Sequence, residues 1–391
     1  MTRTVWRMAP SVRSAGALLV LVLTAAACGP DPLAEVGQNT TTTSSSTTTT
    51  STTTTTEPPV TLPVDPIEPH VAPFDPPGEE WATAPAPEGV DGDALATLVD
   101  SAVATNRWGP VTAVVVAKDG QLIAEGYRDG HDADSLFASG TMSTIVINAL
   151  VGALIADRAL QLFEPWWVSE WANDERFAIT PNMMLRHITG AETGDAVSLE
   201  LLRRAAADGS VADWVITQPW DGDEQYSWTR FEFSPGNHAV LAQVIEENVL
   251  VNGALSLWAN ERVFAPIGVT SARFDEDASG TWIGFEGVNM TAPDYVRLGT
   301  LYASNGLWGD EVVLARDWLE YTSTVLAPSI EFGAGFWVDR FGDGTLSVES
   351  NGQRLVIVPE EGLVILVLSV FASDAVIEEF TQDLTAAVRT G

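Results

Sequence analysis

The chain has 391 residues, of which 46% are hydrophobic, and a formal net charge of −34 that comes from 53 acidic and 19 basic residues. This hydrophobic content is enough for a sizeable folded core. The excess of acidic side chains argues against nucleic acid and against anionic membrane surfaces as direct partners. We therefore predict a globular domain that has no nucleic-acid partner.

Residues 1–27 have the pattern of a secretory signal peptide. Arginines at positions 3, 7 and 13 precede an apolar run from Ala15 to Ala27, which is too short to span a bilayer as a helix. The run ends in the letters AAACG, which resemble a bacterial lipobox with Cys28 as the lipidated residue. The alternative is ordinary signal cleavage beside an incidental cysteine. The lipobox predicts an extracytoplasmic lipoprotein, anchored to the outer face of a bacterial cell membrane.

Residues 28–90 have the composition of a disordered tether. The stretch 39–56 is almost entirely Thr and Ser, and Pro, Glu and Asp dominate from there to about residue 87. Such a segment has too little apolar area to offset the entropy of ordering, and its prolines keep it extended. Since Cys28 is the single cysteine, the chain has no internal disulfide, and the domain at 91–391 must be stabilised by packing.

Strands are predicted at both ends of the region 91–391. A helix is expected from Asp91 to about residue 105, followed by a hairpin whose strands, 111–117 and 121–127, flank the turn sequence Lys-Asp-Gly. Near the carboxyl end the pattern predicts strands at 335–339, 346–350, 355–358 and 363–370 and a helix at 374–388. The expected architecture is an α/β fold of the α+β type, with an antiparallel sheet from both chain ends, flanking helices and an inserted, mainly helical lobe.

The stretch 137–157 reads FASGTMSTIVINALVGALIAD, a turn that leads into a long apolar helix. Thr141 and Thr144 lie one helical turn apart, so their side chains share a face. This stretch resembles the nucleophile helix of the penicillin-binding protein and serine β-lactamase superfamily, in the branch of class C β-lactamases, 6-aminohexanoate-dimer hydrolases and carboxylesterases. The resemblance implies a β-lactamase/transpeptidase-like fold over roughly residues 91–390. It places Thr141 at the family's serine and Thr144 at its lysine. The only lysine, Lys118, belongs to the separate hairpin turn.

Two further family motifs are present in altered form. The resemblance places Phe233 at the position of the family's tyrosine, with Tyr226 as a possible stand-in or an ordinary loop residue. Ser350 takes the place of the lysine or histidine of the third motif, and Glu349 beside it is expected to repel a substrate carboxylate. The oxyanion hole of such a pocket would be formed by backbone groups of Thr141 and of the strand near Gly352 and Gln353.

Other residues give weak signals for a cofactor or metal. The four histidines have no paired ligand spacing, and the acidic runs at 221–224 and 275–277 lack the full spacing of a calcium loop, so they are interpreted as solvated loops. We predict no metal and no cofactor. Most of the 14 tryptophans are expected in the core, and a sugar or peptide groove is the alternative.

These substitutions predict a catalytically degenerate homologue that acts as a binding or scaffolding module at the cell envelope. Its partner would be an envelope protein or ligand, such as a peptidoglycan-like molecule or a small ester or amide. The alternative is a weak hydrolase of ester or amide bonds in which Thr141 attacks with help from Tyr226, His238 or a water molecule.

Overall fold

The structure is a computed structural model that describes residues 72–78, 80–190, 197–219, 230–249, 254–327 and 330–389. Several predicted features lie outside these residues: the signal peptide, Cys28, most of the tether, Tyr226 and the acidic run at 221–224. Within them, no helix combines the length and the apolar character that a membrane span requires.

The main sheet is built from both ends of the described chain, as predicted. Its strands are β1 (Val111–Lys118), β2 (Gln121–Tyr127), β8 (Trp337–Val338), β9 (Leu346–Ser350), β10 (Gln353–Val358) and β11 (Leu363–Ser369). They are arranged in the order β2-β1-β11-β10-β9-β8, and each neighbouring pair is antiparallel. The central strands β1 and β11 are almost entirely buried, which explains why their sequences are continuous apolar runs.

Two tight hairpins shape this sheet. The β1–β2 turn at Asp119 and Gly120 and the β9–β10 turn at Asn351 and Gly352 both place their two central residues at positive φ, with values of 49°, 75°, 36° and 86°. Two-residue turns of this kind match the twist of the strands that they join, and Asn-Gly and Asp-Gly favour them. The first hairpin was predicted. The second ends the strand that carries Ser350.

Helices cover both faces of the sheet and form the lobe between its two halves. They are α1 (Gly92–Ala104), α2 (Thr144–Ala156), α3 (Pro181–Leu185), α4 (Leu199–Asp208), α5 (Val211–Ile216), α6 (Pro235–Val249), α7 (Leu255–Ala259), α8 (Ala292–Ala303), α9 (Arg316–Ser323) and α10 (Asp374–Arg389). On one face, α1 and α10 enclose a core with the side chains of Val114 and Val116. On the other, α2 and α8 pack with Ala113 and Val115.

The predicted terminal helices are confirmed. The helix α1 begins after Asp91, whose side chain accepts a hydrogen bond of 3.0 Å from the backbone N–H of Ala94, and this capping satisfies one free donor of the first turn. The carboxyl-terminal helix runs one residue further than expected, to Arg389.

The inserted helical lobe is also confirmed and consists of α3 to α7. Helix α6 carries the lobe's contact with α2 through buried side chains such as Leu241 and Ile245. The remaining strands are short. They are β3 (Leu136–Ala138), β4 (Arg273–Phe274), β5 (Val288–Thr291), β6 (Leu307–Trp308) and β7 (Glu311–Val312). The strands β3, β5 and β4 form a small sheet beside the start of α2.

The folded region begins earlier than the predicted boundary at residue 91. Phe74 and Trp81 pack against the main core, and the guanidinium of Arg297 lies 5.0 Å from the ring centre of Trp81. The backbone of Leu122 exchanges hydrogen bonds of 3.0 Å and 2.9 Å with Ala82 and Ala84, which adds a partner to the edge of β2. The tether prediction is therefore wrong for these residues, because two aromatic side chains supply the apolar area that the surrounding composition lacks.

Candidate functional site

Thr141, which the motif resemblance places at the family's nucleophile, lies just before α2, where the chain makes a 3-10 turn over Gly140–Ser143. The turn is held from both sides: the N–H of Ser139 donates to Val288 at 2.8 Å, and the hydroxyl of Ser143 donates to Gly284 at 2.7 Å. From Thr144 to Leu154 every residue of α2 is buried. An apolar helix that is covered on all sides makes a rigid base for the residues at its amino end.

Thr141 is half-buried, and its backbone N–H and its side-chain hydroxyl are both hydrogen-bonded to strand β9. Its backbone N–H donates to the hydroxyl oxygen of Ser350 at 3.0 Å. Its own hydroxyl donates to the backbone carbonyl of Glu349 at 2.9 Å. Gly140 adopts a positive φ of 50°, and a β-carbon there would clash with the Ser350 hydroxyl. The end of β9 thus packs directly on the turn that opens α2.

Thr144 is buried and bonded within the core. Its hydroxyl donates to the carbonyl of Gly335 at 3.2 Å. One turn further, the amide of Asn148 donates to Ala334 at 2.7 Å and to Thr322 at 3.1 Å. Asn148 also accepts hydrogen bonds from Tyr302 and Trp318 at 2.6 Å and 3.0 Å. Thr144 and Asn148 therefore form a buried polar stripe, which we call the α2 stripe, and its polar atoms have partners.

Phe233, at the family's tyrosine position, belongs to an aromatic cluster. Its ring lies 4.5 Å from that of His187 and 5.9 Å from that of His238, measured between centroids. Phe231 and Phe332 complete the surroundings of His187, at 6.2 Å and 5.4 Å. The ring at position 233 is thus used for packing.

The two histidines of this cluster are fully buried, with ring centroids 4.8 Å apart. The Nδ1 atom of His187 accepts a hydrogen bond of 3.1 Å from the backbone N–H of Ser234, so a neutral ring carries its proton on Nε2. Burial lowers the pKa of His238 to about 4. Burial, and secondarily the charge of His238, lowers the pKa of His187 well below its usual value. Both side chains are therefore neutral near pH 7.

Gly352 and Gln353 are held by contacts of their own. The N–H of Gly352 donates to the carboxylate of Asp374, the first residue of α10, at 3.0 Å. The side-chain amide of Gln353 donates to the carbonyl of Ser369 at 3.5 Å, and its backbone is in register with Ser350. Thus the Gly352 N–H is engaged by a protein carboxylate, as the N–H of Thr141 is by the Ser350 hydroxyl.

Glu349 does not add negative charge beside Ser350, and the expectation that it would repel a substrate carboxylate is wrong. Side chains alternate along a strand, so Glu349 points to the face of the sheet that α10 covers. There it forms ion pairs with Arg340 and Arg354, and Arg340 also pairs with Glu378 of α10. Its charge is compensated on the far side of the sheet.

A cleft of about 340 Å³ opens beside Thr141 and Ser350. The described residues that line it are Ala138, Gly140, Thr141, Leu199, Arg203, Asp275, Ile283, Glu286, Gly287, Ser350, Asn351, Gln353, Ser369, Val370 and Phe371. The structure thus brings together the first and third motif positions, Thr141 and Ser350, with Gln353. Thr144 and Phe233 are not among these lining residues.

The described residues include no group of three or more His, Cys, Asp or Glu side chains placed to hold a metal ion. In the acidic run at 275–277, the carboxylate of Asp277 accepts hydrogen bonds from the N–H groups of Val211, Ser279 and Thr281 at 2.9 to 3.1 Å. This side chain joins the amino end of α5 to a loop, which is a structural role.

Sequence reasoning missed four features of the region. Period-two alternation in 346–350 could have shown that Glu349 and Ser350 point to opposite faces of the sheet, but not that the Ser350 hydroxyl contacts Thr141. The pairing of His187 with His238 joins residues 51 positions apart and left no signal in the sequence. The hub at Asn148 could have been suspected from a single amide inside an apolar helix.

Comparison with known proteins agrees with this fold. The β-lactamase family model matches residues 95–386. The fold is similar to that of a putative 6-aminohexanoate-dimer hydrolase from Bacillus anthracis, with a TM-score of 0.63 at 18% identity over 81% of this chain and 89% of that one. A putative β-lactamase from Bacteroides dorei gives 0.60 at 19% identity, over 76% and 99% of the two chains. A D-amino acid amidase from Ochrobactrum anthropi gives 0.54 at 15%, over 76% and 98%. No curated protein matches the chain significantly.

The antiparallel sheet, the inserted lobe and the buried helix that opens at the cleft define the serine β-lactamase and transpeptidase-like class of fold. Within that class the chain belongs to the β-lactamase family, whose model covers most of its length. The resemblance recognised from the motifs is confirmed.

Proposed function

We propose that this chain is an extracytoplasmic, lipid-anchored member of the β-lactamase family that binds a ligand or a partner at the cell envelope without turning it over. The observation that carries the proposal is the pair of hydrogen bonds between Thr141 and strand β9. Both the hydroxyl that would attack and the N–H that would stabilise an oxyanion are already engaged, by the Glu349 carbonyl and the Ser350 hydroxyl.

A hydroxyl is a poor nucleophile near neutral pH unless a neighbouring base accepts its proton. The recorded acceptor of the Thr141 hydroxyl is a backbone carbonyl, which cannot serve as a base. Thr144 has a short hydroxyl side chain bonded to Gly335, and Phe233 has no hydroxyl. Removing a member of a nucleophile and base unit costs on the order of 10⁴ in rate. These positions therefore support binding without rapid turnover.

The oxyanion hole supports the same conclusion. Backbone donors can act in catalysis when they point at the place where negative charge develops. Here the Ser350 hydroxyl occupies that place on the Thr141 N–H, so a substrate oxygen would first have to displace it. Acylation would need the hydrogen bond between the Thr141 N–H and the Ser350 hydroxyl to open.

A weak hydrolase is the competing function, and one observation favours it. Thr141 is only half-buried and lines an open cleft, so a substrate could reach its hydroxyl. Two of the structural neighbours are named as a hydrolase and an amidase. In this version Thr141 attacks an ester or amide at a low rate.

Active-site labelling separates the two functions. The full chain is incubated with a fluorophosphonate or a β-lactam, and its mass is measured, in parallel with hydrolysis of a p-nitrophenyl ester. We expect no added mass on Thr141 and no turnover above background. The variants are Thr141→Ala and, as a control, Thr97→Ala, which removes an exposed threonine of α1. Turnover that vanishes only in Thr141→Ala would establish the hydrolase.

The anchor is tested separately. We expect the wild-type chain to pellet with membranes through salt and alkaline washes, and the Cys28→Ala variant to be released. A substituted chain that still pellets would show that something other than a lipid on Cys28 holds it.

A further inference from the structure

Phe371 stands at the rim of the cleft in an unusual conformation. Its side chain is 91% exposed, and its φ is 57°, a region that bulky residues seldom adopt. The ring gains almost no burial, and the backbone there carries a conformational cost. Residues held in such conformations occur preferentially at ligand clamps and active sites.

The segment that carries Phe371 is firmly held. The N–H of Val370 donates to Pro110 at 3.2 Å. Ala372 packs so closely on two glycines that a β-carbon at Gly109 or Gly352 would lie 2.8 Å or 2.9 Å from its own. These contacts fix the backbone on both sides of Phe371, so its ring is presented at the cleft from a rigid support.

The other lining elements give the cleft a mixed chemistry. Leu199 and Ile283 are half-buried apolar side chains, which can contact an apolar part of a ligand. Glu286 is neutralised by Arg203, whose guanidinium contacts it at 2.7 Å and 2.9 Å. Asp275 accepts a hydrogen bond of 3.0 Å from the amide of Asn289 and forms no ion pair within the described part of the chain. Asp275 is thus the one carboxylate among the described lining residues that forms no ion pair.

We infer that the cleft takes a small organic cation, an ammonium group joined to an apolar or aromatic group, with the ammonium at Asp275 and the apolar part against Phe371. The inference rests on the proposed function, because it assumes that the cleft binds its ligand without hydrolysis. The net charge of the chain, −34, adds a long-range attraction for cations. A carboxylate ligand would meet repulsion from both sources.

Three matched probes test the charge preference on the full chain. They are phenethylammonium, 2-phenylethanol and phenylacetate, which share a benzyl group and differ in charge. Their affinities are measured by saturation-transfer NMR titration at low salt. We expect phenethylammonium to bind most tightly, the alcohol about three-fold more weakly, as an exposed ion pair implies, and phenylacetate most weakly.

Two variants then assign the binding to the cleft. Asp275→Asn should remove the advantage of the ammonium probe over the alcohol, whereas Asp310→Asn, at an exposed site on another loop, should leave it. Phe371→Gly should weaken the ammonium and alcohol probes about five-fold, since the stacking surface is lost. Because glycine adopts a positive φ without strain, the melting temperature of the Phe371→Gly variant should be no lower than that of the wild type. Phe177→Ala, which removes another exposed aromatic ring, is the control.

Equal affinities for the three probes, absence of binding of the ammonium probe, or insensitivity to both cleft substitutions would overturn the inference. Failure of the proposed function has a different signature, namely ester turnover that depends on Thr141. A chain that hydrolyses esters but still prefers the ammonium probe would contradict the proposed function alone. A chain that hydrolyses no ester and shows no preference for the ammonium probe would contradict the inference alone.

Discussion

The α2 stripe buries its polar groups in one way, and the aromatic cluster around His187 and His238, called the histidine cluster below, buries them in the opposite way. On α2, the hydroxyl of Thr144 and the amide of Asn148 all have hydrogen-bond partners in the core. In the cluster, Nε2 of His187, both ring nitrogens of His238 and the hydroxyl of Ser234 have none among the described residues. Each region includes a position that the motif resemblance assigns to the family's catalytic residues, Thr144 in the first and Phe233 in the second, and both side chains are packed in the core.

The difference teaches how the bonding of a buried polar group decides its effect on stability. A buried polar group with partners contributes to stability, whereas one without partners is costly to bury. Loss of a polar group from the α2 stripe should therefore lower the stability in proportion to the hydrogen bonds that the group makes. The histidine cluster remains stable only while its rings stay neutral, so its contribution must depend on pH.

The largest effect is expected for Thr144→Lys, which would place a lysine on the α2 stripe at the position that the motif resemblance assigns to the family's lysine. Thr144 is 4% exposed, and the chain around Gly335 packs against it, so an ammonium there is both oversized and without partners. We expect a loss of about 5 kcal/mol in the free energy of unfolding, measured with urea. Thr144→Val, the matched control, should cost only about 1 kcal/mol. Equal stability of the lysine variant would show that the core around Thr144 has room for a lysine side chain.

Asn148→Ala should be the next most damaging change. It removes an amide with four hydrogen bonds, deprives the indole N–H of Trp318 of its acceptor, and leaves the Tyr302 hydroxyl only a long contact of 3.4 Å with the carbonyl of Ile145. We expect a loss of about 4 kcal/mol in urea unfolding. Asn248→Ala on α6, where a half-exposed amide makes one bond to Val244, should cost less than about 1 kcal/mol. Similar losses in the two variants would contradict the role of the α2 stripe.

Acid should weaken the protein through the histidine cluster. An unfolded histidine titrates at about pH 6.5, whereas burial lowers the pKa of His238 to about 4 in the folded chain. Between these values the unfolded state binds a proton that the folded state does not, so stability falls as the pH falls from about 6.5 to 4. The contribution of His238 amounts to about 3 kcal/mol.

The measurement compares urea unfolding at pH 7 and pH 4. The variant His238→Phe should lose about 3 kcal/mol less than the wild type over this range, whatever its stability at pH 7. The variant His131→Gln, at an exposed histidine, should keep the wild-type dependence. A wild-type dependence in His238→Phe would show that the cluster does not control acid sensitivity.

The smallest effect is expected for Ser350→Ala, which removes the partner of the Thr141 N–H. We expect a loss of about 1 kcal/mol, since the freed donor borders the cleft. Ser347 on the same strand is a matched control: its hydroxyl is buried on the opposite face without a partner among the described residues, so Ser347→Ala should be neutral or stabilising. A reversed order of the two variants would contradict the described bonding of Ser350.

Much of the fold was predictable because its signals are local. Apolar runs and turn residues located β1, β2 and the carboxyl-terminal strands, and a capping pattern located α1. The motif spacing placed Thr141 at the start of a buried helix. The beginning of the folded region was placed too late, because the packing of Phe74 and Trp81 depends on contacts with distant parts of the chain.

The sequence by itself determined the family, the order of the elements and the absence of a Ser-x-x-Lys pair, since these depend on residue type and spacing along the chain. Only the tertiary structure decided which groups meet. The Ser350 hydroxyl accepts a hydrogen bond from the Thr141 N–H, and the charge of Glu349 is paired with Arg354 on the opposite face of the sheet. His187 and His238 share one buried cluster. Hydrogen bonds and charges act over a few ångströms in space, and the residues that form these contacts are separated by up to 209 positions in the chain.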